Sequence, residues 1–271
     1  RYTREVHNED FKELVWQKGR ELYRPMPWRS DTRPYYVLVS ELMLQQTQVA
    51  RVIPKFQSFI NAFPNEVELA GASLADVLKQ WQGLGYNRRA KYLHDAAKMI
   101  QHDFEGTFPT AYKDIIRLPG VGKNTTGAIL AYSFNQPSIF IETNIRTVYI
   151  HHFFNDHFDV DDKQITQKLE QTIDKQDPRG FYWSLMDYGS WLKANGMRNI
   201  SRSKHYKKQS KLEGSVRQVR GAIIRELGNQ TYARETLRKA LGADNRFDPA
   251  LEGLLRDGLV SESAGKLHLT K

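Results

Sequence analysis

Apolar residues recur at helical spacing along most of the chain. The segment 9–23, EDFKELVWQKGRELY, places its large apolar side chains on one stripe, as an amphipathic helix does. The apolar pattern of residues 35–63 predicts one helix that runs to Val52 and a second that begins near Pro54. The alternating pattern of strands is scarce before residue 250. The chain is therefore predicted to be all-α over most of its length.

The pattern changes after the basic stretch 198–215, which predicts a linker. Three further helical segments follow it, and the last residues, LVSESAGKLHLTK, indicate two short strands around Ala264 and Gly265. Three helices and a β-hairpin predict a small winged-helix-like module over residues 216–271. A helical cap with a frayed tail is the alternative.

The composition favours a polyanionic partner. Forty lysines and arginines against 31 aspartates and glutamates give a net charge of +9. The stretch 198–211, RNISRSKHYKKQSK, is basic, contains no acid and suits phosphate contacts, with a solvated linker as the alternative. The absence of cysteine excludes disulfides, thiolate metal sites and iron–sulfur clusters. Without a long apolar run or a secretory pattern, we expect a cytoplasmic, nucleoid-associated protein with no membrane partner.

A first polar cluster lies in SELMLQQTQV, residues 40–49. Glu41, Gln45 and Gln48 have the spacing of one helix face, with apolar residues beside them. A carboxyl group among apolar neighbours has a raised pKa, which a general acid at neutral pH requires. An amphipathic helix with an exposed acid is the alternative.

Two further segments each precede a predicted helix. LPGVG (118–122) brings two glycines to the start of one. Glycine permits close approach of another molecule, and the first N–H groups of a helix have no partner within it, so the hinge suits a phosphate. An ordinary corner between two helices is the alternative. In FIETNIR (140–146), Glu142 stands at a helix start, where helix electrostatics alone would favour an acid.

The order of SELMLQQTQV, WQGLGY, LPGVG and MDYGSW resembles the helix-hairpin-helix DNA glycosylases, most closely the adenine-mismatch (MutY) branch. The similarity covers roughly residues 9–195. It implies an all-α, two-lobed fold that the winged-helix-like module follows. The implied segments are residues 1–34 with 136–197 for one helical lobe, 35–135 for a six-helix barrel with the hairpin motif at 112–134, 198–215 for the linker and 216–271 for the module.

The resemblance implies excision of a mispaired or damaged base from double-stranded DNA, after the base swings into a pocket between the lobes. Glu41 matches the general acid, Glu142 the carboxylate that stabilises charge on the sugar, and Asn144 a pocket asparagine. The positions that match base-pocket and lesion-probing residues are Arg24, Trp28, Arg29, Gln45, Gln46, Tyr86 and Asn124. The expected phosphate-binding residues are Gly120, Gly122, Lys123 and Thr125 in the hairpin, with Arg202, Lys204, Lys207 and Lys208 in the basic stretch.

Four features depart from the family pattern. The second acid is normally aspartate, and the extra methylene of Glu142 moves the carboxylate by roughly 1.5 Å, enough to slow a reaction unless the backbone compensates. Asn124 stands where bifunctional relatives carry an imine-forming lysine. The cluster-binding cysteines are absent, with Lys193 near the first position. The winged-helix-like module is too short to match the family's domain for reading 8-oxoguanine, so we expect that domain to be missing.

We therefore expect a monomeric, monofunctional DNA glycosylase that removes adenine opposite 8-oxoguanine or guanine. No metal and no cofactor are expected in the site, although K⁺ or Na⁺ beneath the hairpin is compatible with the resemblance. A thymine or uracil mismatch glycosylase on the same scaffold is one alternative. A catalytically weak protein that binds DNA lesions is the other.

Overall fold

The structure is a computed structural model that describes residues 7–197, 199–204, 210–242 and 244–271. It is mainly helical, as the periodicity predicted. The elements in chain order are α1 (Asn8–Glu21), α2 (Pro27–Ser30), α3 (Pro34–Leu44), α4 (Val49–Ala62), α5 (Glu66–Gly71), α6 (Leu74–Trp81), α7 (Arg88–Asp103), α8 (Tyr112–Ile115), α9 (Lys123–Phe134), α10 (Thr143–Phe153), α11 (Asp162–Thr172), α12 (Pro178–Ala194), a 3₁₀ helix (Asn199–Arg202), α13 (Val216–Leu227), α14 (Arg234–Ala240), α15 (Phe247–Arg256), β1 (Val260–Ser263) and β2 (Lys266–Leu269). Among the described residues, no helix is long and apolar enough to cross a membrane.

The chain divides into two compact units, each with its own core. The first unit contains residues 1–37, 110–116 and 121–208. The second unit contains residues 38–109, 117–120 and 209–271.

The first unit packs around α1, α10 and α12. Phe11 of α1 and Tyr149 of α10 are fully buried, with ring centroids 5.1 Å apart. Trp16 of α1 and Phe181 of α12 make a second edge-on pair at 5.9 Å. Edge-on aromatic pairs stabilise a core beyond the area they bury, so these contacts fix α10 and α12 on α1.

A glycine allows α10 to lie directly against α12. A Cβ atom at Gly189 of α12 would lie 2.3 Å from the carbonyl oxygen of Asn144. Because no side chain fits there, only glycine permits this approach. The first turn of α10, which follows Glu142, is thereby fixed against α12.

Helix α6 of the second unit shows how the apolar pattern specifies a buried face. Leu74, Val77, Leu78 and Trp81 recur at i, i+3, i+4 and i+7, and all four are buried. The side chain of Ser73 accepts a hydrogen bond from the first turn of the helix, which satisfies one of its unpaired N–H groups.

The break between the helices of residues 35–63 lies earlier than the pattern predicted. Helix α3 ends at Leu44 and α4 begins at Val49. Gln46, between them, has φ 57°, a left-handed conformation that a helix cannot continue through. Pro54 lies inside α4 instead of starting it, so the predicted boundary is wrong.

The C-terminal module, α13 to β2 (residues 216–269), has the predicted order of three helices and a hairpin. The strands pair antiparallel, with Val260 opposite Leu269 and Ser263 opposite Lys266. Ala264 and Gly265 both have positive φ, 49° and 70°, as a two-residue type I′ turn requires. The hairpin is confirmed, and the classification as a winged helix stays a prediction.

Two features differ from the expected division of the chain. Helix α9, expected with the barrel lobe at 35–135, belongs to the first unit, and the C-terminal module belongs to the second. Part of the expected linker is ordered, because Asn199 donates to the carbonyl of Thr147 (3.2 Å) and Ser203 forms a β-bridge with Val160. Residues 199–204 are therefore part of the first unit.

Gly189→Ala is expected to destabilise the protein by about 1–3 kcal/mol, the usual cost of overpacking, because the new Cβ would meet backbone atoms of Asn144. Urea denaturation measures the change. Gly221→Ala is the matched control, since a Cβ at Gly221 of α13 meets nothing within 4 Å and should stabilise its helix by roughly 0.5–1 kcal/mol. Equal midpoints for Gly189→Ala and the wild type would show that α10 can move away from α12.

Candidate active site

Glu41 lies in the second unit, near the end of α3, and is partly buried. The two residues that follow it are fully buried, so packing fixes the last turn of the helix. Gln45 and Gln46 lie beyond the helix, in a turn, and Gln48 is the N-cap residue of α4, so Glu41, Gln45 and Gln48 do not share one helix face as the spacing predicted. The Nε2 atom of Gln45 donates to the carbonyl of Gly120 at 3.4 Å, which joins this turn to the hairpin segment of the same unit.

A buried arginine, Arg89, organises the second unit around this turn. Its guanidinium donates to oxygen atoms of two chain segments, one at the end of α3 and one before α7. The acceptors are the carbonyl oxygens of Leu42 (2.8 Å), Met43 (2.8 Å), Gln45 (2.6 Å), Leu84 (3.2 Å), Gly85 (2.8 Å) and Tyr86 (3.3 Å), and the hydroxyl of Thr47 (3.2 Å). One side chain therefore fixes both segments that carry predicted base-probing residues.

Burial lowers the pKa of Arg89 to about 10, which still leaves it charged at neutral pH. Its charge faces the carbonyl end of α3, where the helix dipole favours a cation, and its Cζ atom lies 5.3 Å from the ring centroid of Trp81. Sequence analysis missed Arg89, because its partners are main-chain atoms that no side-chain pattern reveals.

Tyr86 lies in the second of these segments, in the turn GLGYN. Gly83, Gly85 and Tyr86 all have positive φ, at 93°, 70° and 46°. The indole of Trp81 donates to the carbonyl of Gly85 at 3.2 Å. A tyrosine in the left-handed region is uncommon and is held there by its surroundings, so the fold sets the direction in which the Cα–Cβ bond of Tyr86 points.

Glu142 lies in the first unit and caps α10. Its Oε1 atom accepts hydrogen bonds from the N–H groups of Asn144 (2.7 Å) and Ile145 (3.3 Å). Shorter side chains usually take this capping position. The second oxygen, Oε2, makes no hydrogen bond to any residue that the structure describes, so half of the carboxylate is left for another partner.

The surroundings of Glu142 act on its charge in opposite directions. Burial raises the pKa of Glu142, while the two N–H groups and the nearby cations Lys193 and Arg146 favour the ionised form. Arg146 is itself bound through two bonds of 2.7 Å to Asp162, so its charge is largely compensated. The carboxyl group is therefore held with a pKa above the ordinary range of a glutamate.

Asn124 supports the backbone that leads into Glu142. Its Nδ2 atom donates to the carbonyl of Ile141 at 2.7 Å, and its Oδ1 atom accepts from the N–H of Ile141 at 3.4 Å. Both ends of the amide are thus bound to one residue. In the first unit, the structure brings Asn124, Glu142 and Asn144 together, and it gives Asn124 a structural contact in addition to the pocket role that the resemblance implies.

Arg29 is buried in an ion pair with Asp187. Asp187 accepts from Nη1 (2.7 Å) and Nη2 (3.0 Å) of Arg29 and from Nε of Arg24 (2.6 Å). The side chains of Arg29 and Asp187 are only 3% and 1% exposed, whereas that of Arg24 is 35% exposed. This geometry gives Arg29 a structural contact and leaves the side chain of Arg24 partly accessible, while the base-pocket role of both residues stays a prediction. Trp28, between them in sequence, is buried.

Asp187 was also missed by sequence analysis. It is the acid in FYWSLMDYGSW, an otherwise apolar and aromatic helix (residues 181–191). A carboxylate buried in such a helix needs a cationic partner. A buried ion pair at Asp187 could therefore have been predicted from the sequence.

The hairpin residues predicted to bind phosphate combine a positive φ at Gly120 with an exposed helix start at Gly122. Gly120 has φ 77°, and a Cβ atom there would lie 2.8 Å from Tyr92 Cβ. Gly122 precedes α9 without a side-chain cap, and Gly122 and Lys123 are exposed while Thr125 is partly buried. The first N–H groups of α9 therefore face solvent at an exposed helix start.

The basic stretch is described only in part. Arg202 donates to Asn155 at 3.3 Å, and Lys204, whose side chain is 63% exposed, lies 3.8 Å from Asp161. Lys207 and Lys208 lie outside the described residues.

The predicted site residues fall into two groups, one in each unit. Glu41, Gln45, Gln46, Tyr86 and Gly120 belong to the second unit, and the other described ones belong to the first. That Glu41 and Glu142 act on one nucleotide stays a prediction. The sequence contains no cysteine, so it lacks the thiolate ligands of an iron–sulfur cluster.

Comparison with known proteins identifies the family. A model described as "HhH-GPD superfamily base excision DNA repair protein" matches residues 39–175, a range that includes both Glu41 and Glu142. The chain belongs to this superfamily. The expected helix-hairpin-helix superfamily is thereby confirmed.

The chain is similar to several curated proteins that are named adenine DNA glycosylase. The chain is 39% identical over 183 residues to an adenine DNA glycosylase of Buchnera aphidicola subsp. Baizongia pistaciae, a match that covers 65% of this chain and 51% of the relative. It is 31% identical over 264 residues to an adenine DNA glycosylase of Mycolicibacterium smegmatis, covering 89% of both chains. The chain thus spans about half the length of several curated relatives it matches and most of the length of another.

A solved structure confirms the fold. The structure of a thermostable thymine-DNA glycosylase is similar with a TM-score of 0.61 and 22% identity, over 71% of this chain and 94% of the other. At 22% sequence identity, this similarity shows the helical fold and nothing about the substrate.

Arg89→Lys is expected to destabilise the protein by about 3 kcal/mol or more. A lysine has three donors on one nitrogen and leaves several buried carbonyl groups without a partner, each at a cost of about 1–3 kcal/mol. Urea denaturation followed by circular dichroism measures the loss. Arg51→Lys, on the exposed side of α4, is the matched control and should change stability by less than about 0.5 kcal/mol. Similar midpoints for the two variants would contradict the central role of Arg89.

Glu142→Gln is expected to leave the protein at least as stable as the wild type at pH 7.5. The amide keeps an acceptor for both N–H groups and removes a charge that burial disfavours. Because its pKa is raised on folding, Glu142 binds more protons in the folded state than in the unfolded state. The free energy of unfolding of the wild type therefore falls as pH rises above about 4.5. Melting temperatures from pH 4 to pH 8 should therefore shift in favour of the variant as pH increases. Asp177→Asn, at the exposed cap of α12, is the control. A wild type that gains stability over Glu142→Gln with rising pH would refute the assignment.

Proposed function

We propose that this chain is a monofunctional DNA glycosylase that hydrolyses the N-glycosidic bond of adenine mispaired with 8-oxoguanine or guanine in double-stranded DNA. The observation that carries the proposal is Glu142, a carboxylate fixed by one oxygen at the start of α10 with the other oxygen uncommitted. The similarity to the Mycolicibacterium smegmatis adenine DNA glycosylase, over 89% of both chains, supports adenine as the base.

In the proposed reaction, Glu41 is the general acid. It donates a proton to the departing adenine, and the electron pair of the broken C1′–N bond leaves with the base. Water adds its hydroxyl to C1′, and the proton that it releases restores the acid. A general acid needs its proton at neutral pH, and the partly buried position of Glu41 on α3 suits that requirement.

Glu142 is the counter-charge in this proposal. Positive charge develops on the sugar as the bond breaks, and an ionised carboxylate near it stabilises that state. The bonds to Oε1 hold the side chain in one orientation, so no reorganisation is needed during the reaction. The sequence difference from aspartate is compatible with this role, because the longer side chain bends back to cap its own helix.

Asn124 supports a monofunctional reaction. The usual imine-forming lysine is replaced by an amide whose two polar atoms are bound to Ile141. An amide nitrogen does not attack C1′ to form an imine. Strand cleavage is therefore not expected to accompany base removal.

DNA is the proposed partner, and the exposed start of α9 with Lys123 is its proposed phosphate contact. Backbone N–H groups and the helix dipole both favour an anion there. The ordered basic residues Arg202 and Lys204 add sequence-independent affinity. The acid and the counter-charge both come from side chains, so the proposal includes no cofactor.

A panel of duplexes tests the proposal. The protein is incubated with adenine opposite 8-oxoguanine, adenine opposite guanine, thymine opposite guanine, uracil opposite guanine, and hypoxanthine, and half of each sample is then treated with alkali. We expect cleavage of the two adenine mismatches, and only after alkali. Cleavage of the thymine or uracil duplexes would favour the alternative glycosylase, and cleavage without alkali would contradict the role of Asn124.

The same assay includes Glu41→Gln, which should lower the single-turnover rate at least 100-fold, the usual contribution of a general acid, with DNA affinity nearly unchanged. Glu13→Gln, exposed on α1, is the matched control and should excise at the wild-type rate. Tight binding by the wild type without excision of any base would identify a lesion-binding protein instead.

A further inference from the structure

The C-terminal module contacts the turn that carries Tyr86, within the second unit. Arg217, in the first turn of α13, donates from Nη1 to the hydroxyl of Tyr86. Its Cζ atom also lies 4.7 Å from the centroid of the Tyr86 ring, within the range of a cation–π interaction. The second amino group of Arg217 donates to the carbonyl of Ser210 at 3.1 Å. The guanidinium thus holds both the ring and the hydroxyl of one tyrosine.

An ion-pair cluster lies at Arg88, two residues after Tyr86. Asp257, at the end of α15, accepts from Arg88 at 2.6 Å and from Arg220 of α13. Burial opposes the ionisation of Asp257, but the two arginines outweigh it and its pKa lies below the usual range. Its side chain is only 6% exposed, so the cluster is screened from solvent on the aspartate side. Arg217 and Arg220 lie three residues apart and therefore on the same face of α13.

Two further arginines of the module are engaged in ion pairs. Arg238 binds Asp248 at 2.6 Å and Arg234 binds Glu252. Both acids lie on α15, the helix that would enter the groove in a DNA-reading winged helix, and Asp257 directly follows that helix. An acidic helix face is unfavourable against phosphates. The contacts of the module therefore favour a role at the Tyr86 turn over direct reading of DNA by α15.

We propose that Arg217 is a positioning residue that fixes Tyr86 for probing the base pair, so that the C-terminal module sets the discrimination between mismatched and paired adenine. The proposal rests on the proposed function, which assigns the probing role to Tyr86. The backbone of Tyr86 is already constrained by its positive φ. Arg217 fixes the remaining freedom, the rotation of the ring, before DNA arrives. A side chain ordered in advance loses less entropy on insertion.

Arg217→Ala tests this proposal in the full chain. We expect its single-turnover rate on adenine opposite 8-oxoguanine to fall at least tenfold, while the low rate on adenine opposite thymine stays the same, so that discrimination falls. Arg217→Lys keeps a cation and a donor and should recover part of the rate. Arg225→Ala, exposed on the same helix, is the matched control and should behave as the wild type. Melting temperatures exclude a folding defect as the cause.

A double-mutant comparison separates positioning from a purely structural role. Tyr86→Phe removes the hydroxyl that Arg217 binds, so it should slow excision in the wild type and have no further effect in Arg217→Ala. A duplex with 2-aminopurine next to the mismatch reports insertion of the ring directly, because its fluorescence rises when the base is unstacked. We expect a smaller rise with Arg217→Ala than with the wild type or Arg225→Ala.

The outcomes distinguish the two proposals. If the wild type excises no base from any duplex, the proposed function fails, and the fluorescence comparison still decides whether Arg217 controls insertion of Tyr86. If the wild type is active but Arg217→Ala keeps both its discrimination and its fluorescence change, the inference about Arg217 is wrong. Additive effects of Arg217→Ala and Tyr86→Phe would overturn it as well.

Discussion

The buried guanidinium of Arg89 is the interaction on which the second unit depends. It binds carbonyl oxygens from the end of α3 and from the turn before α7, two segments more than 35 residues apart in sequence. These carbonyls have no helical partner, and a turn that buried them without a donor would be unstable. Because Arg89 lies in the first turn of α7, the position of this helix sets both segments at once. The general acid proposed on α3 and the tyrosine proposed to probe the base pair therefore share one support.

The first unit solves a similar problem with different groups. Asp187 joins α12 to the segment that contains Arg24 and Arg29. Gly189, half a turn later, has no side chain and so allows α10 to pack directly against α12. A buried ion pair contributes little net stability, but loss of one partner leaves a charge without compensation. Its value here is geometric, since it fixes the register of α12 against which the cap Glu142 is placed. One short segment, MDYGSW, thus contains both determinants of this arrangement.

Sequence reasoning predicted the features that local patterns determine. The helical periodicity, the hairpin around Ala264 and Gly265 and the glycines of the LPGVG hinge follow from short-range preferences, and the order of the motifs gave the superfamily. It did not predict the turn after α3, where contacts with Arg89 override the helical pattern through Gln45. It also missed Arg89 and Asp187, because their partners are distant in sequence. Asp187 could have been found, because an acid in an apolar helix needs a cationic partner. Arg89 could not, because its acceptors are main-chain atoms, which leave no pattern in the sequence.

Glu142 shows why the start of a helix suits a carboxylate with the proposed role of counter-charge. Burial strengthens its interaction with a nearby positive charge, but the same burial raises its pKa and favours the neutral form. The N–H groups of Asn144 and Ile145 oppose that effect through Oε1 alone, and the nearby charges of Lys193 and Arg146 add to their effect. A cation placed directly on both oxygens, as Arg29 is on Asp187, would keep the acid ionised but leave no oxygen for the substrate. Capping through one oxygen meets both requirements, and it does so with glutamate as well as with the shorter aspartate.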